Sequence, residues 1–301
     1  MRFLSALSVL VSTALAPAIA VAQGQDTAPW ERDIQVIGAM LPGLYSNANQ
    51  SYFDRRVGRD VQHSPLEVSI VPSDAASGAY EVVLAKPGGE SESRFRLFLE
   101  EGGESAAVGA RVQLVPGSAP DGAMQDAPPP PCQMTWRRSA AEFVAEQTGP
   151  CHAGAIERIV LSEGQLWIAL QGRDAASFQL HRARRFECYA DIPGVGGGRD
   201  EPYDRYAGLE LHDQGGSAWF TSKEGRRLGV SMLKVDWPIN NYDGAFARDS
   251  LVVYVSEETS AGREELGYAF TVPEADRIGI NLKWMLVNCF MQSNEAITPF
   301  M

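Results

Sequence analysis

Two arginines in the N-terminal half carry the chemistry that the sequence signals most directly. Arg94 and Arg96 stand two residues apart in an alternating segment, and Phe98 follows at the same spacing. Side chains at i and i+2 of a strand point to one face, so both guanidinium groups share a side with an aromatic ring. Arginine pairs bidentately with carboxylates and stacks on flat rings. The pattern fits a planar ligand that carries carboxylates, or else a solvent-facing strand whose hydrophobic half packs inward.

Other sites of common chemistry are missing from the sequence. No HExxH, G-x-S-x-G or GxxxxGK[ST] motif occurs. The histidines, His63, His152, His181 and His212, are far apart, and none stands at metal-ligand spacing to another, so we expect no metal site. The run from Gly194 to Gly198 favours a flexible linker over a phosphate-binding loop, because no helix pattern follows it.

The four cysteines are Cys132, Cys151, Cys188 and Cys289, and none of their spacings is CxxC. An even number of cysteines in an exported chain suggests two disulfides with three possible pairings. We favour Cys132–Cys151, which are near neighbours in a β-rich stretch, and Cys188–Cys289, which would tie the end of the chain to the start of its last region. Free buried thiols are the alternative.

The N-terminus has the features of an export signal. Arg2 precedes an apolar stretch from Phe3 to Leu15, and Ala20-Val21-Ala22 is the small-x-small pattern that signal peptidases cleave. Residues 1–22 are therefore expected to be a signal peptide, and the protein to be periplasmic or secreted. No later segment is long and apolar enough to span a bilayer, so we expect no transmembrane segment in the mature chain.

The charge of the chain limits its partners. It has 38 acidic against 26 basic residues, a formal net charge of −12 at pH 7. Nucleic-acid binding calls for a basic face, so we expect no nucleic-acid partner. The chain of 301 residues is long enough for one large domain or two ordinary ones.

Alternating hydropathy dominates the secondary-structure pattern. A single short amphipathic helix is predicted from Trp30, Ile34, Ile37 and Leu41, and Pro42-Gly43 ends it. Turn residues at short intervals separate the predicted strands, as in a barrel or sandwich built from consecutive hairpins. These strands in the N-terminal half are Leu66–Ile70, Ala79–Ala85, Arg94–Leu99, Arg111–Val115, Ile156–Leu161 and Leu166–Leu170.

The C-terminal region repeats this pattern and predicts a second, sandwich-like β domain. The stretch from Asp191 to Tyr206, rich in glycine and proline, is interpreted as the boundary between the two regions. The predicted strands are Leu209–His212, Ala218–Thr221, Leu228–Val235, Leu251–Val255, Leu266–Val272 and Ile278–Val287. The fold class is therefore all-β.

Three segments together resemble the CpcT/CpeT-type phycobiliprotein chromophore lyases. The family opens with a short helix and a Gly-x-aromatic-Ser-Asn-x-x-Gln segment, matched here by Gly43, Tyr45, Ser46, Asn47 and Gln50. Its Tyr-Arg-x-Arg-x-aromatic strand is similar to the segment from Ser93 to Phe98. A Cys, a Phe-x-Gly-x-Thr segment and a second Cys resemble Cys132, Phe143, Ala145, Thr148 and Cys151.

The resemblance implies a calycin-like, lipocalin-type antiparallel β-barrel in residues 23–185, followed by the β-rich domain in residues 186–301. The family's barrel holds an open-chain tetrapyrrole, a bilin, and delivers it to a cysteine of an acceptor protein. By this resemblance Arg94 and Arg96 would bind the propionates, with Gln50, Tyr45 and Asn47 nearby.

Three functions follow as expectations. The first is an exported barrel of this family that binds a hydrophobic or tetrapyrrole-like ligand. The second is an active chromophore lyase, which would be an enzyme that orients a bilin near the thiol of an acceptor protein. The third is a non-catalytic structural or interaction module of the cell envelope, which a barrel interior packed with side chains would favour.

Overall fold

The computed structural model describes residues 28–58, 63–73, 78–87, 92–103, 107–115, 130–149, 151, 156–170, 177–194, 203–241 and 244–293, without the side chains of 92 and 236–248. The signal peptide predicted at residues 1–22 lies outside these ranges, as do His152 and most of the stretch from Gly194 to Pro202. No helix in the described ranges is long and apolar enough to cross a membrane.

The described residues form two helices and eighteen strands. The helices are α1 (Pro29–Met40) and α2 (Ala48–Val57). The first ten strands are β1 (Gly43–Ser46), β2 (Glu67–Pro72), β3 (Ala79–Ala85), β4 (Glu92–Glu101), β5 (Val108–Leu114), β6 (Cys132–Ser139), β7 (Glu142–Gln147), β8 (Ile156–Leu161), β9 (Gln165–Leu170) and β10 (Phe178–Ala183). The last eight are β11 (Arg185–Pro193), β12 (Tyr203–His212), β13 (Gln214–Thr221), β14 (Arg227–Asn241), β15 (Gly244–Thr259), β16 (Gly262–Thr271), β17 (Arg277–Asn281) and β18 (Leu286–Met291).

Strands β1 to β10 form a closed antiparallel barrel in which each strand pairs with its neighbours in sequence. The short strand β1 closes it by pairing with β2 on one side and β10 on the other. The barrel therefore has ten strands, two more than the eight of a lipocalin. The all-β prediction of a barrel with a short N-terminal helix and a second β-rich domain is confirmed.

Helix α1 covers one end of the barrel. Pro29 begins the helix and Glu31 lies in its first turn, where a fixed φ and a negative charge both favour a helix N-terminus. Ile37 and Leu41 are fully buried in the barrel core, as their helical spacing predicts. The Asp33 carboxylate accepts a hydrogen bond of 2.6 Å from Arg138 at the end of β6, and this ion pair holds the helix across the barrel end.

Helix α2 was not predicted, and its composition explains why. Ser51 and Asp54, both polar, are the residues that it buries, so it lacks the apolar stripe by which helices are recognised. Gly58, with φ 69°, ends the helix in a left-handed conformation that glycine adopts without steric cost. The helix lies between β1 and β2, at the barrel end opposite α1.

Strands β11 to β18 form a sandwich of two four-stranded antiparallel sheets, in the orders β12-β11-β18-β17 and β13-β14-β15-β16. Apolar side chains of both sheets meet in one core, which includes Phe186, Met232 and Val253. The stretch from Asp191 to Tyr206 connects β11 to β12, which pair within one sheet. Its interpretation as the boundary between the two regions is therefore wrong.

The segment from Ile278 to Val287 forms two strands, not the single strand that was predicted. Ile278 and Ile280 face the core as expected, but the chain turns at Lys283, which has φ 70°. Leu282 and Trp284 continue the apolar alternation through this turn and pack against the same core. Alternation therefore concealed the hairpin that joins β17 to β18.

Both predicted disulfides are present. Cys132 at the start of β6 is bonded to Cys151, which follows β7. Cys188 and Cys289 stand directly opposite each other on the paired strands β11 and β18 and are bonded. No cysteine is free. Disulfides persist in oxidising compartments, so this bonding fits a protein that folds outside the reducing cytoplasm.

Three polar contacts fix the sandwich against the barrel. Arg184, between β10 and β11, donates a 2.6 Å hydrogen bond to the buried carboxylate of Asp213. The imidazole of His212 in the sandwich lies 2.9 Å from the carboxylate of Glu67 on β2. The Asn49 side chain of α2 donates to the backbone oxygen of Lys234 at 2.9 Å. These contacts fix the position of the sandwich beside the barrel.

Candidate functional site

The barrel interior is filled by apolar side chains. The space left inside is about 40 Å³, and every described residue that lines it is aliphatic or aromatic. Trp136, Phe143 and Tyr45 are among the largest fully buried side chains of the chain. Pockets that hold drug-sized ligands measure about 300–1,000 Å³. The interior therefore has no room for a tetrapyrrole in this structure.

The structure places Arg94 and Arg96 on the outer face of the barrel. Both side chains are exposed, whereas Phe95, Leu97 and Leu99 of the same strand pack into the core. The two arginines share one face of the strand, as their spacing predicts. The resemblance implied that they face a ligand in the barrel interior, and the structure puts the guanidinium groups outside it. A role for them in binding a ligand stays a prediction.

Tyr45 is fully buried and its hydroxyl is bonded inside the protein. The hydroxyl lies 2.9 Å from the backbone oxygen of Met40 and 3.1 Å from that of Leu41, and it accepts a 2.5 Å hydrogen bond from Arg182. Burial raises the pKa of Tyr45 to about 12, against the opposing effect of the Arg182 charge. The hydroxyl therefore stays protonated and joins the end of α1 to β1.

Arg182 of β10 supports the same corner. Its guanidinium donates to the backbone oxygens of Pro42 (2.6 Å), Glu163 (3.0 Å) and Met40. Gly43 lies against it, because a Cβ at this position would stand 2.6 Å from Arg182 Nη1. Gly43 and Tyr45 of the family-like segment thus both contact Arg182 and help to hold this corner of the fold.

Asn47 and Gln50 also bind the backbone. The Asn47 side chain accepts a hydrogen bond from Leu66 N at 2.7 Å and donates one to Ser64 O at 3.1 Å. The Gln50 amide donates to the backbone oxygen of residue 177 at 3.0 Å and accepts from the backbone N–H of Gln179 at 2.9 Å. These bonds attach α2 to the ends of β2 and β10, so both side chains position the helix.

A polar cleft of about 610 Å³ lies between the barrel and the sandwich. Its floor is the outer face of β9 and β10, where Gln165 stands directly opposite His181, and Gln179 lies on the same face. Helix α2 and the sandwich supply the other walls through Asn49, Gln50, Phe53, Asp54, Gln214, Lys234, Val235 and Asp249. Of the five ligand-binding residues predicted from the sequence, Gln50 is the one that the structure places in this cleft.

Several polar groups of the cleft have no hydrogen-bond partner within the described part of the chain. The side-chain amides of Gln165, Gln179 and Gln214 are in this group. The Oδ1 atom of Asn49 is buried and has no donor, although more than nine in ten buried polar groups are normally paired. The cleft therefore presents the donors and acceptors of these glutamine amides to whatever enters it, whereas Asn49 Oδ1 is buried behind its wall.

The electrostatics of the cleft are balanced. Lys234 and Asp249 form an ion pair of 3.8 Å across β14 and β15. Burial and the Lys234 charge lower the pKa of His181, while Asp249 opposes the shift. His181 is therefore neutral near pH 7, with one ring nitrogen that donates and one that accepts. The cleft can make several neutral hydrogen bonds without an excess of either charge.

A buried carboxylate–imidazole pair stands behind this cleft. His63 Nδ1 lies 2.6 Å from Asp54 Oδ2, and the His63 backbone N–H donates to the same oxygen at 3.1 Å. The His63 ring also meets Phe178 edge-on at 5.2 Å. The pair fixes the end of α2 to the chain before β2. No group of three or more metal-ligating side chains occurs among the described residues.

Sequence reasoning missed the cleft because its residues come from distant stretches around positions 50, 165, 180, 214, 234 and 249. None of them stands at the spacing of a motif, and glutamine-rich surfaces give no hydropathy signal.

Comparison of the chain with protein-family models, with curated proteins and with solved structures finds no match.

Proposed function

We propose that this protein is an exported, non-catalytic binding protein whose ligand is small, neutral and rich in hydroxyl groups. The observation that carries the proposal is the cleft of about 610 Å³ lined by unpartnered amides, beside a barrel whose apolar cavity measures about 40 Å³. The cleft volume falls within the range of about 300–1,000 Å³ usual for ligand pockets. The two disulfides and the predicted signal peptide support export to the periplasm or the medium.

The polar groups of the cleft favour a sugar-like ligand. A side-chain amide both donates and accepts, as a sugar hydroxyl does, and neutral His181 adds another group of this kind. Phe53, 40% exposed, offers an apolar ring at the edge of the cleft for the C–H face of a sugar. An ionic ligand would instead require an excess of one charge, because unpaired charges out of water are costly.

The tetrapyrrole-binding and lyase hypotheses remain predictions from the resemblance to the chromophore lyases. A tetrapyrrole would need either an expanded barrel interior or a site on the outer face near Arg94 and Arg96. The packed interior instead supports the third expectation, a non-catalytic module of the cell envelope. The binding protein proposed here is a module of that kind with a defined ligand site.

The test is isothermal titration calorimetry of the mature protein with a panel of neutral mono- and disaccharides, and separately with biliverdin. Variants His181→Ala and Gln214→Ala each remove one polar group from the cleft. Each should weaken saccharide binding by about fivefold, since a lost hydrogen bond is worth about 1 kcal/mol. The double variant Arg94→Ala/Arg96→Ala is the control, because both arginines lie on β4 and neither lines the cleft.

The outcomes separate the hypotheses. Saccharide binding that the cleft variants weaken and the arginine variant preserves supports the proposal. Biliverdin binding that the Arg94→Ala/Arg96→Ala variant abolishes, with no saccharide bound, would refute it in favour of a tetrapyrrole carrier. A covalent adduct with an acceptor protein in the same mixture would indicate a lyase.

A further inference from the structure

A second, wider groove lies on the other side of α2. It has a volume of about 1,270 Å³ and runs between this helix and the outer face of the sheet β13-β14-β15-β16. Ser231, Tyr254 and Tyr268 form a row across its floor, because Tyr254 stands opposite both other residues on the neighbouring strands. Tyr52 of α2 faces this row. We call this surface the tyrosine groove.

Two of the three tyrosine rings of the groove are exposed, and Tyr254 between them is half-buried. Tyr268 is 45% exposed and Tyr52 is 41% exposed, and the ring centroids of Tyr254 and Tyr268 are 6.1 Å apart. Burial raises the pKa of Tyr254, and Glu265, Tyr52 and Tyr268 add to the shift, so these groups surround it. Exposed aromatic rings in one groove mark an interaction surface.

Three arginines of the groove lack a carboxylate partner in the described part of the chain. Arg55 donates to Ser51 Oγ at 2.8 Å, Arg56 to Tyr52 at 3.1 Å and Arg263 to Ser231 at 3.1 Å. Several arginines elsewhere form ion pairs, as Arg226 does with Glu257, Arg205 with Asp191 and Arg138 with Asp33.

The charge of the groove is opposite to that of the whole protein. The three arginines face one described acid, Glu265, whereas the chain has a formal net charge of −12. The groove is thus a local basic surface on an acidic protein, and its charge complements an anion. A nucleic acid fits poorly, because the rest of the surface repels a polyanion of that charge density.

We propose that the tyrosine groove binds a polysaccharide whose sugar units carry carboxylates. Tyrosine rings stack on the C–H faces of sugars, and Ser217 and Ser231 add hydroxyls to the lining of the groove. Arginine binds carboxylates through two parallel hydrogen bonds. The groove volume of about 1,270 Å³ exceeds the range of about 300–1,000 Å³ usual for small-ligand pockets, which suits a chain rather than a single unit. The groove is a different site from the cleft. Among the described lining residues the two sites share Phe53 and Val235.

The experiment measures binding of an oligogalacturonate to the mature protein by calorimetry. We expect the affinity to fall as the salt concentration rises. The triple variant Arg55→Gln/Arg56→Gln/Arg263→Gln should bind more than about a hundredfold more weakly, since each charged contact is worth about tenfold or more. Tyr268→Ala should weaken binding by about tenfold. Glu265→Gln should strengthen it, because it removes an acid from the groove.

The control variant is Arg111→Gln, which makes a single Arg→Gln change at an exposed arginine of the barrel that pairs with Glu100. It should bind the oligogalacturonate as the wild type does, and unchanged thermal midpoints establish that the variants fold. Absence of binding by the wild type, or equal affinity of the triple variant, would overturn the proposal. Tighter binding of a polyglutamate peptide, insensitive to Tyr268→Ala, would overturn it in favour of an acidic protein partner. Because His181→Ala leaves the groove intact, loss of saccharide binding at the cleft does not affect this result.

Discussion

Replacing Tyr45 with phenylalanine distinguishes a residue that holds the fold from one that binds a ligand. The change keeps the buried ring and removes one oxygen, which lies within 3.1 Å of two backbone oxygens and within 2.5 Å of Arg182. The Met40 oxygen keeps a hydrogen bond from Arg182, whereas the Leu41 oxygen loses a donor in a buried position. The variant should therefore be less stable without losing its shape.

The size of the effect follows from the lost contacts. A neutral hydrogen bond contributes about 1 kcal/mol and one to a charged group about 1.5–3 kcal/mol. Part of this is recovered, because Arg182 retains its three backbone acceptors. We therefore expect a loss of about 2–3 kcal/mol in the free energy of unfolding, with a lower thermal midpoint of roughly 2–4 °C per kcal/mol.

Urea unfolding followed by tryptophan fluorescence measures this loss, and calorimetric titration with the saccharide that binds the cleft measures function. The variant should unfold at lower urea with an unchanged slope and bind the ligand as the wild type does. Equal stability together with weaker binding would refute the reasoning, because it would place Tyr45 in the ligand site. Tyr80→Phe is a matched control with another buried tyrosine of the barrel.

Two further predictions concern the cross-links and the alkaline limit. Replacing both Cys188 and Cys289 with serine opens a loop of 101 residues and should lower the free energy of unfolding by about 4.7 kcal/mol. Replacing Cys132 and Cys151 opens a loop of 19 residues and should lower it by about 3 kcal/mol. Equal losses in urea unfolding would contradict this order. The raised pKa of Tyr45, about 12 against an ordinary 10.0, makes the unfolded chain lose its proton first. Its contribution to stability is therefore complete below pH 10 and lost as the pH rises to about 12, so urea midpoints should fall in this range, and less steeply in Tyr45→Phe.

The barrel and the sandwich were predictable because both depend on a local signal. Strand residues such as Val112 and Leu211 alternate with polar neighbours, and burying one face of each strand requires that alternation. Helix α2 gave no such signal, since its inward residues Ser51 and Asp54 are held by hydrogen bonds and not by apolar contact. The hairpin at Lys283 was missed because apolar alternation continues through it.

The candidate site was beyond sequence reasoning for a physical reason. Gln165 and His181 become neighbours through strand pairing, and Gln214 and Asp249 join them only when the sandwich lies beside the barrel. The family-like segment around Tyr45 was visible because its residues are close in sequence. The side chains that made this segment recognisable, Tyr45, Asn47 and Gln50, bind backbone groups of the protein itself.

The central claim, a ligand site at the cleft and not in the barrel interior, is tested most directly through the histidine side chains. The chain has four histidines, so the ring resonances in a carbon–proton NMR spectrum are few, and His181→Gln assigns the one in the cleft. Adding the neutral saccharides should shift the His181 resonance and leave that of His212, which pairs with Glu67 at the interface, in place. A spectrum in which no saccharide moves His181, while biliverdin broadens the methyl resonances of barrel-interior residues, would contradict the account.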